Sequence, residues 1–217
     1  MFKLSARHVT GLLVVGTTSG MAIPLTLWLL RDPVRFTADL LGIGQSAGLI
    51  PWAWGMATVI AITYVTYTFW AVPFVREHAT ELTGLKLLAV PLALVSGTLE
   101  ELIFRKFLMD WLDALGAAGF LQVLGTGVAF GAAHSLWVLF SRDARIILPV
   151  ITATTVLGAA LGVTYLLADR NALPVIVAHI VINLIIEPWL LLSAVSERWG
   201  APQPVPAGHE LSRANCP

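Results

Sequence analysis

The sequence is poor in charge and nearly empty of cysteine. Only 12% of its 217 residues are Asp, Glu, Lys or Arg, about half the fraction found in soluble domains. The 13 basic residues are matched by 13 acidic ones, so there is no basic footprint for nucleic acid. The single cysteine, Cys216, excludes an intrachain disulfide and any cysteine-rich metal site. One residue follows it, where a prenylation box needs three. No HExxH motif and no internal repeat is present.

What fills the chain instead is apolar. Hydrophobic residues make up 57% of it, and the mean hydropathy is +0.82. Eight Trp and 18 Gly suit a helical membrane protein, where aromatic belts and small packing residues are common. A spanning helix needs about 20 mostly apolar residues. Six stretches qualify: 9–30, 49–75, 85–111, 117–140, 146–168 and 172–195. The first is longer than the ~7–15-residue apolar run of a signal peptide and is read as a retained helix. The expected fold is therefore all-α, a polytopic membrane helix bundle of about six transmembrane helices. Residues 1–195 form one transmembrane domain with its functional core over about 85–195, and 196–217 form a polar, Pro-rich, flexible tail. With the N-terminus inside, Lys3, Arg7, Arg76, Lys86, Arg142, Arg145, Arg198 and Arg213 face the cytoplasm, against Arg31, Arg35, Lys106 and Arg170 outside. That bias predicts both termini in the cytoplasm of a bacterial-type inner membrane.

The third stretch contains "SGTLEELIFR", which puts Glu100, Glu101 and Arg105 at membrane depth. Ionisable groups there are costly, and functional by default. Residues four apart share a helix face, so Glu101 and Arg105 can pair as a structural brace. Glu100 points elsewhere and has no partner on its own helix. The fourth stretch carries "FGAAH", with Phe130 and His134, and the sixth carries "HIVIN", with His179 and Asn183. These two histidines are the only ones inside the six stretches. Glu187 follows Asn183 by one turn, just before Pro188 ends or kinks the helix. Taken singly, each histidine is explained by packing and Asn183 by an interhelical hydrogen bond. If the chain turns near Gly116, Glu100 and His134 both lie at about 24–27 Å from the turn and meet at one depth. His179 comes early in its helix and needs tilt, or a deep start at Pro174, to join them.

In this order, "EELIFR", "FGAAH" and "HIVIN" resemble the EExxxR, FxxxH and HxxxN signatures of the CPBP family of CAAX proteases and bacteriocin-processing enzymes, also called Abi. This is the family of the eukaryotic Ras-converting CAAX endoprotease. The motifs run from Glu100 to Asn183. Many bacterial members have Gly after the motif arginine, where this chain has Lys106.

The resemblance implies a glutamic intramembrane endopeptidase acting on a membrane-associated protein or peptide, with the lipid bilayer as its other partner. Carried onto this chain, Glu100 and His134 activate water, while His179 and Asn183 bind the oxyanion. Glu101 and Arg105 support the site, and Phe130 and Glu187 are candidates to line it. No cofactor is expected. Two histidines and a glutamate could alternatively hold zinc. Two other functions compete: a non-catalytic membrane scaffold or bacteriocin-immunity protein, and a small proton-coupled transporter with Glu100, Glu187 and the histidines as a relay.

Overall fold

The structure is a computed structural model and describes residues 4–137, 141 and 143–199. The expected polar tail lies outside the described residues from residue 200 onward. No strand occurs among the described residues, and every one of the six apolar stretches contains helix. Helix α1 is Ala6–Arg31, α2 is Pro51–Ala71 and α3 is Pro73–His78. Helix α4 runs over Gly84–Ala114. It is α-helical to Glu101, a π-helix over Leu102–Met109, and α-helical again over Asp110–Ala114. Then come α5 (Gly119–His134), α6 (Ile147–Leu167), α7 (Leu173–Ile186) and α8 (Trp189–Val195).

The chain is an integral membrane protein. Among the described residues, three helical segments can cross a bilayer by length and apolarity: Ala6–Arg31, Gly84–Ala114 and Ala144–Leu167. Helices α7 and α8, bent by 54° at Glu187–Pro188, make a fourth if taken as one broken span. The sequence suggested about six. Helix α2 is diluted by Trp, Tyr and Thr, and α5 is only 16 residues long. Leu27, Ile62, Leu124 and Val128 all point outward, as lipid-facing side chains do.

Local chemistry sets the helix ends. Thr83 caps α4 by accepting from the Lys86 N–H, and prolines open α2 and α3 at a position where their missing N–H costs nothing. The turn between α4 and α5 falls at Gly116, whose φ of 79° favours glycine. That is the turn on which the depth match of Glu100 and His134 depends. Lys86, counted from sequence among the basic residues facing the cytoplasm, lies in the first turn of α4. Its ammonium donates to the carbonyls of Leu184 (2.6 Å), Ile185 (3.1 Å) and Glu187 (2.6 Å). It thus satisfies the orphan carbonyls where α7 ends.

Two close helix crossings position the site. Helices α5 and α6 pack through Gly127 and Gly131 on one side and Gly158 and Gly162 on the other. A Cβ on Gly158 would come within 2.9 Å of Phe130 Cβ, so glycine here lets the backbones approach. Helices α4 and α7 cross at Gly97, where a Cβ would lie 2.8 Å from the Ile180 side chain and 3.0 Å from its backbone nitrogen. Ile180 follows His179, so Gly97 sets how near α7 comes to the two glutamates.

Candidate active site

Arg105 and Glu101 are both fully buried, with Nε 2.9 Å from Oε2. The contact is a close, fully buried ion pair. Arg105 Nη1 also donates to Thr126 Oγ1 at 3.1 Å, and that hydroxyl donates onward to the Phe104 carbonyl at 2.9 Å. The guanidinium carbon lies 5.6 Å from the Phe130 ring centre, within cation–π reach. The i, i+4 pairing read from sequence is present, and Thr126 on α5 is a third member that the sequence did not reveal.

Glu101 does more than pair with Arg105. Its second oxygen, Oε1, lies 2.8 Å from Nδ1 of His179. A carboxylate held by arginine can only accept, so Nδ1 carries the proton. A carboxylate at Nδ1 orients an imidazole and stabilises its protonated form. His134 is held differently. Its Nδ1 lies 2.8 Å from the carbonyl of Phe130, which again can only accept, leaving Nε2 with the lone pair in the neutral ring. The two rings flank Phe130, with centroids 4.4 and 5.7 Å away.

Both Nε2 atoms converge on one oxygen of Glu100. His134 Nε2 lies 3.7 Å from Glu100 Oε2 and His179 Nε2 lies 3.9 Å from it. These separations exceed a direct hydrogen bond. Oε2 is buried and has no hydrogen-bond partner among the described residues. His179 reaches this depth because α7 starts inside the protein. Asn171 is buried, donates to the Gly42 carbonyl at 3.0 Å, and accepts from the Leu173 N–H at 2.9 Å.

Glu100, His134, His179 and Asn183 line one cavity of about 490 Å³, together with Phe130 and Glu187. Glu101 and Arg105 are not among its lining residues. Asn183 donates through Nδ2 to Ser96 Oγ at 3.1 Å. Ser96, one turn before Glu100 on α4, also lines the cavity. That fixes one amide proton and leaves the second without a partner among the described residues. Most of the remaining wall is apolar, including Leu92, Ile103, Leu157, Ile182 and Ile186. Among the described residues, no group of three His, Cys, Asp or Glu is arranged to hold a metal ion.

Sequence reasoning missed three contributors. Ser96 and Thr126 are ordinary hydroxyl residues in apolar helices and carry no spacing signal. The bond from Glu101 to His179 joins residues 78 positions apart, beyond any local pattern. Lys106, the departure from the motif, has a structural place. Its ammonium donates to the Arg170 carbonyl at 3.2 Å, lies 3.8 Å from Asp110, and sits 5.8 Å from the Tyr165 ring centre.

Comparison with known families adds one finding. Residues 82–185 match the family described as type II CAAX prenyl endopeptidase Rce1-like. The matched stretch includes all three motifs, and over it the chain is similar to the CPBP family. No curated protein and no solved structure matches the chain.

Proposed function

We propose that this chain, Rce1-like over residues 82–185, is a glutamic intramembrane endopeptidase. It would hydrolyse a peptide bond of a membrane-associated substrate with an activated water. The observation that carries the reading is the approach of two imidazole nitrogens to within 3.7 and 3.9 Å of one unpartnered Glu100 oxygen, beside a mostly apolar cavity.

In this mechanism a water sits between Glu100 and His134. The lone pair on His134 Nε2 holds one of its protons, and Glu100 takes the other as the water oxygen attacks the peptide carbonyl. The carbonyl oxygen becomes an oxyanion. His179, protonated with the support of Glu101, and the second amide proton of Asn183 donate to it. Glu100 then passes its proton to the departing nitrogen as the C–N bond breaks, leaving one carboxyl and one amine end. Arg105 holds Glu101, and Glu101 holds His179. In the cell, the basic residues favour both termini in the cytoplasm of a bacterial-type inner membrane.

The test is cleavage of membrane-anchored peptides by the purified full-length chain in proteoliposomes. Cleavage that is lost with Glu100→Gln is expected. Proton-driven solute uptake without cleavage would overturn the reading in favour of a transporter. The chemistry is proposed as metal-free, so elemental analysis of active protein should find far less than one equivalent of metal. Stoichiometric zinc whose removal abolishes turnover would recast the same residues as ligands.

A further inference from the structure

Glu187 has no part in that mechanism. It is 7% exposed, it lines the same cavity, and its Oε2 has no hydrogen-bond partner among the described residues. The backbone N–H of Leu191 supports the carboxylate, but burying it without a charged partner in contact is expensive. The nearest candidate to neutralise it is Lys86, but the three protons of that ammonium are directed at the carbonyls of Leu184, Ile185 and Glu187 itself. No ion pair to the Glu187 carboxylate forms within the described residues. The rest of the cavity gives a cation further support, because Tyr64, Tyr67 and Trp199 also line it and aromatic faces attract cations.

We propose that Glu187 is a specificity subsite for a basic side chain, lysine or arginine, of the substrate. The inference rests on the peptidase reading above. Its register follows from the backbone. The Glu187 N–H donates to the Asn183 carbonyl at 2.9 Å, so the two residues are one helical turn, about 5.4 Å, apart. An extended peptide rises about 3.3 Å per residue. If Asn183 meets the scissile carbonyl, the basic side chain belongs one or two residues from that bond.

The experiment uses the full-length protein in proteoliposomes and a set of otherwise neutral membrane-anchored peptides. A single arginine is moved through each of the four positions on either side of the bond. Binding of the same peptides to Glu100→Gln is measured in parallel, so that affinity is read without turnover. The expected result is a preference of about tenfold or more for arginine at one position, one or two residues from the bond. Glu187→Gln should equalise the arginine and neutral peptides, and Glu187→Lys should favour an aspartate there. Wild-type protein that binds all the peptides alike overturns the proposal, whether or not any variant folds. So does a Glu187→Gln variant that keeps the arginine preference. If the binding preference is present and wild-type protein cleaves nothing, the subsite stands and the peptidase reading falls.

Discussion

Helix α4 carries two clusters of charge barely one turn apart, and they are built on opposite rules. The outer cluster lies past Arg105. Asp110 accepts from Arg170 at 2.7 Å and from the Tyr165 hydroxyl at 2.9 Å. Arg170 also lies 2.7 Å from Asp113 and donates to Gln122 at 2.7 Å, and Gln122 donates back to Asp113 at 2.8 Å. These charges meet partners directly, and Asp110, Asp113 and Arg170 remain partly exposed. The inner cluster is nearly dry. Glu101 is paired with both Arg105 and His179 in it, while Glu100 keeps one oxygen unmatched between two imidazoles. A polar cluster whose bonds are all made stabilises a fold. One that reserves an acceptor has room for a reactant.

The comparison breaks most visibly if Glu100 is not the reactive group. Glu100→Gln should keep expression and folding while lowering turnover by about 10²–10⁴, as for loss of a general base. Adding His134→Ala should make little further difference, because groups that act as a unit are not additive. Substantial cleavage by Glu100→Gln would erase the distinction between the clusters.

Arg105→Ala comes next. Leaving Glu101 buried and uncompensated should cost about 3–5 kcal/mol, visible as lost folded yield and a lower Tm in detergent. Unchanged stability with abolished cleavage would move Arg105 into the chemistry.

Gly97→Ala sharpens the contrast through geometry alone. A methyl against the Ile180 backbone should cost about 1–3 kcal/mol as overpacking. It should lower turnover by displacing His179, with no charge altered. Full activity would show that the α4–α7 spacing is not critical.

The smallest effect is expected in the outer cluster. Arg170→Ala removes partly exposed pairs, each worth about 0–1 kcal/mol, and the loss should shrink further in salt as the charges are screened. Thermal unfolding at two salt concentrations checks this.

The same contrast governs what could be read from the sequence. The inner cluster was legible where it is local. Glu101 and Arg105 are four apart, and the turn at Gly116 brings Glu100 and His134 to one level. It was illegible where it crosses the bundle, as from Glu101 to His179 or from Asn183 to Ser96, because nothing in a helix's own periodicity names its neighbour. Asn171, just before α7, is a polar residue whose burial no local pattern announces, and its bonds to Gly42 and Leu173 hold the start of the helix that carries His179. Lys86 looked like a surface charge because composition does not show where a long side chain ends. Helical class followed from apolarity alone. The bend of 54° between α7 and α8 was legible as well, in Pro188.

The i, i+4 ion pair has one more consequence, which concerns the order in which the protein is made. The Glu101–Arg105 contact lies wholly within α4, so it can form as soon as that helix does. His134 and His179 are synthesised 34 and 79 residues after Glu100. A helix entering the bilayer with isolated charges is penalised by about 2.5–3.5 kcal/mol for each one near its centre. Pairing two of the three in advance lets α4 be handed to the lipid before the rest of the bundle exists to receive it. In an insertion assay on the isolated 84–114 segment, Arg105→Ala should therefore lower the inserted fraction, although it removes a charge. Unimpaired insertion would mean that α4 waits for its neighbours.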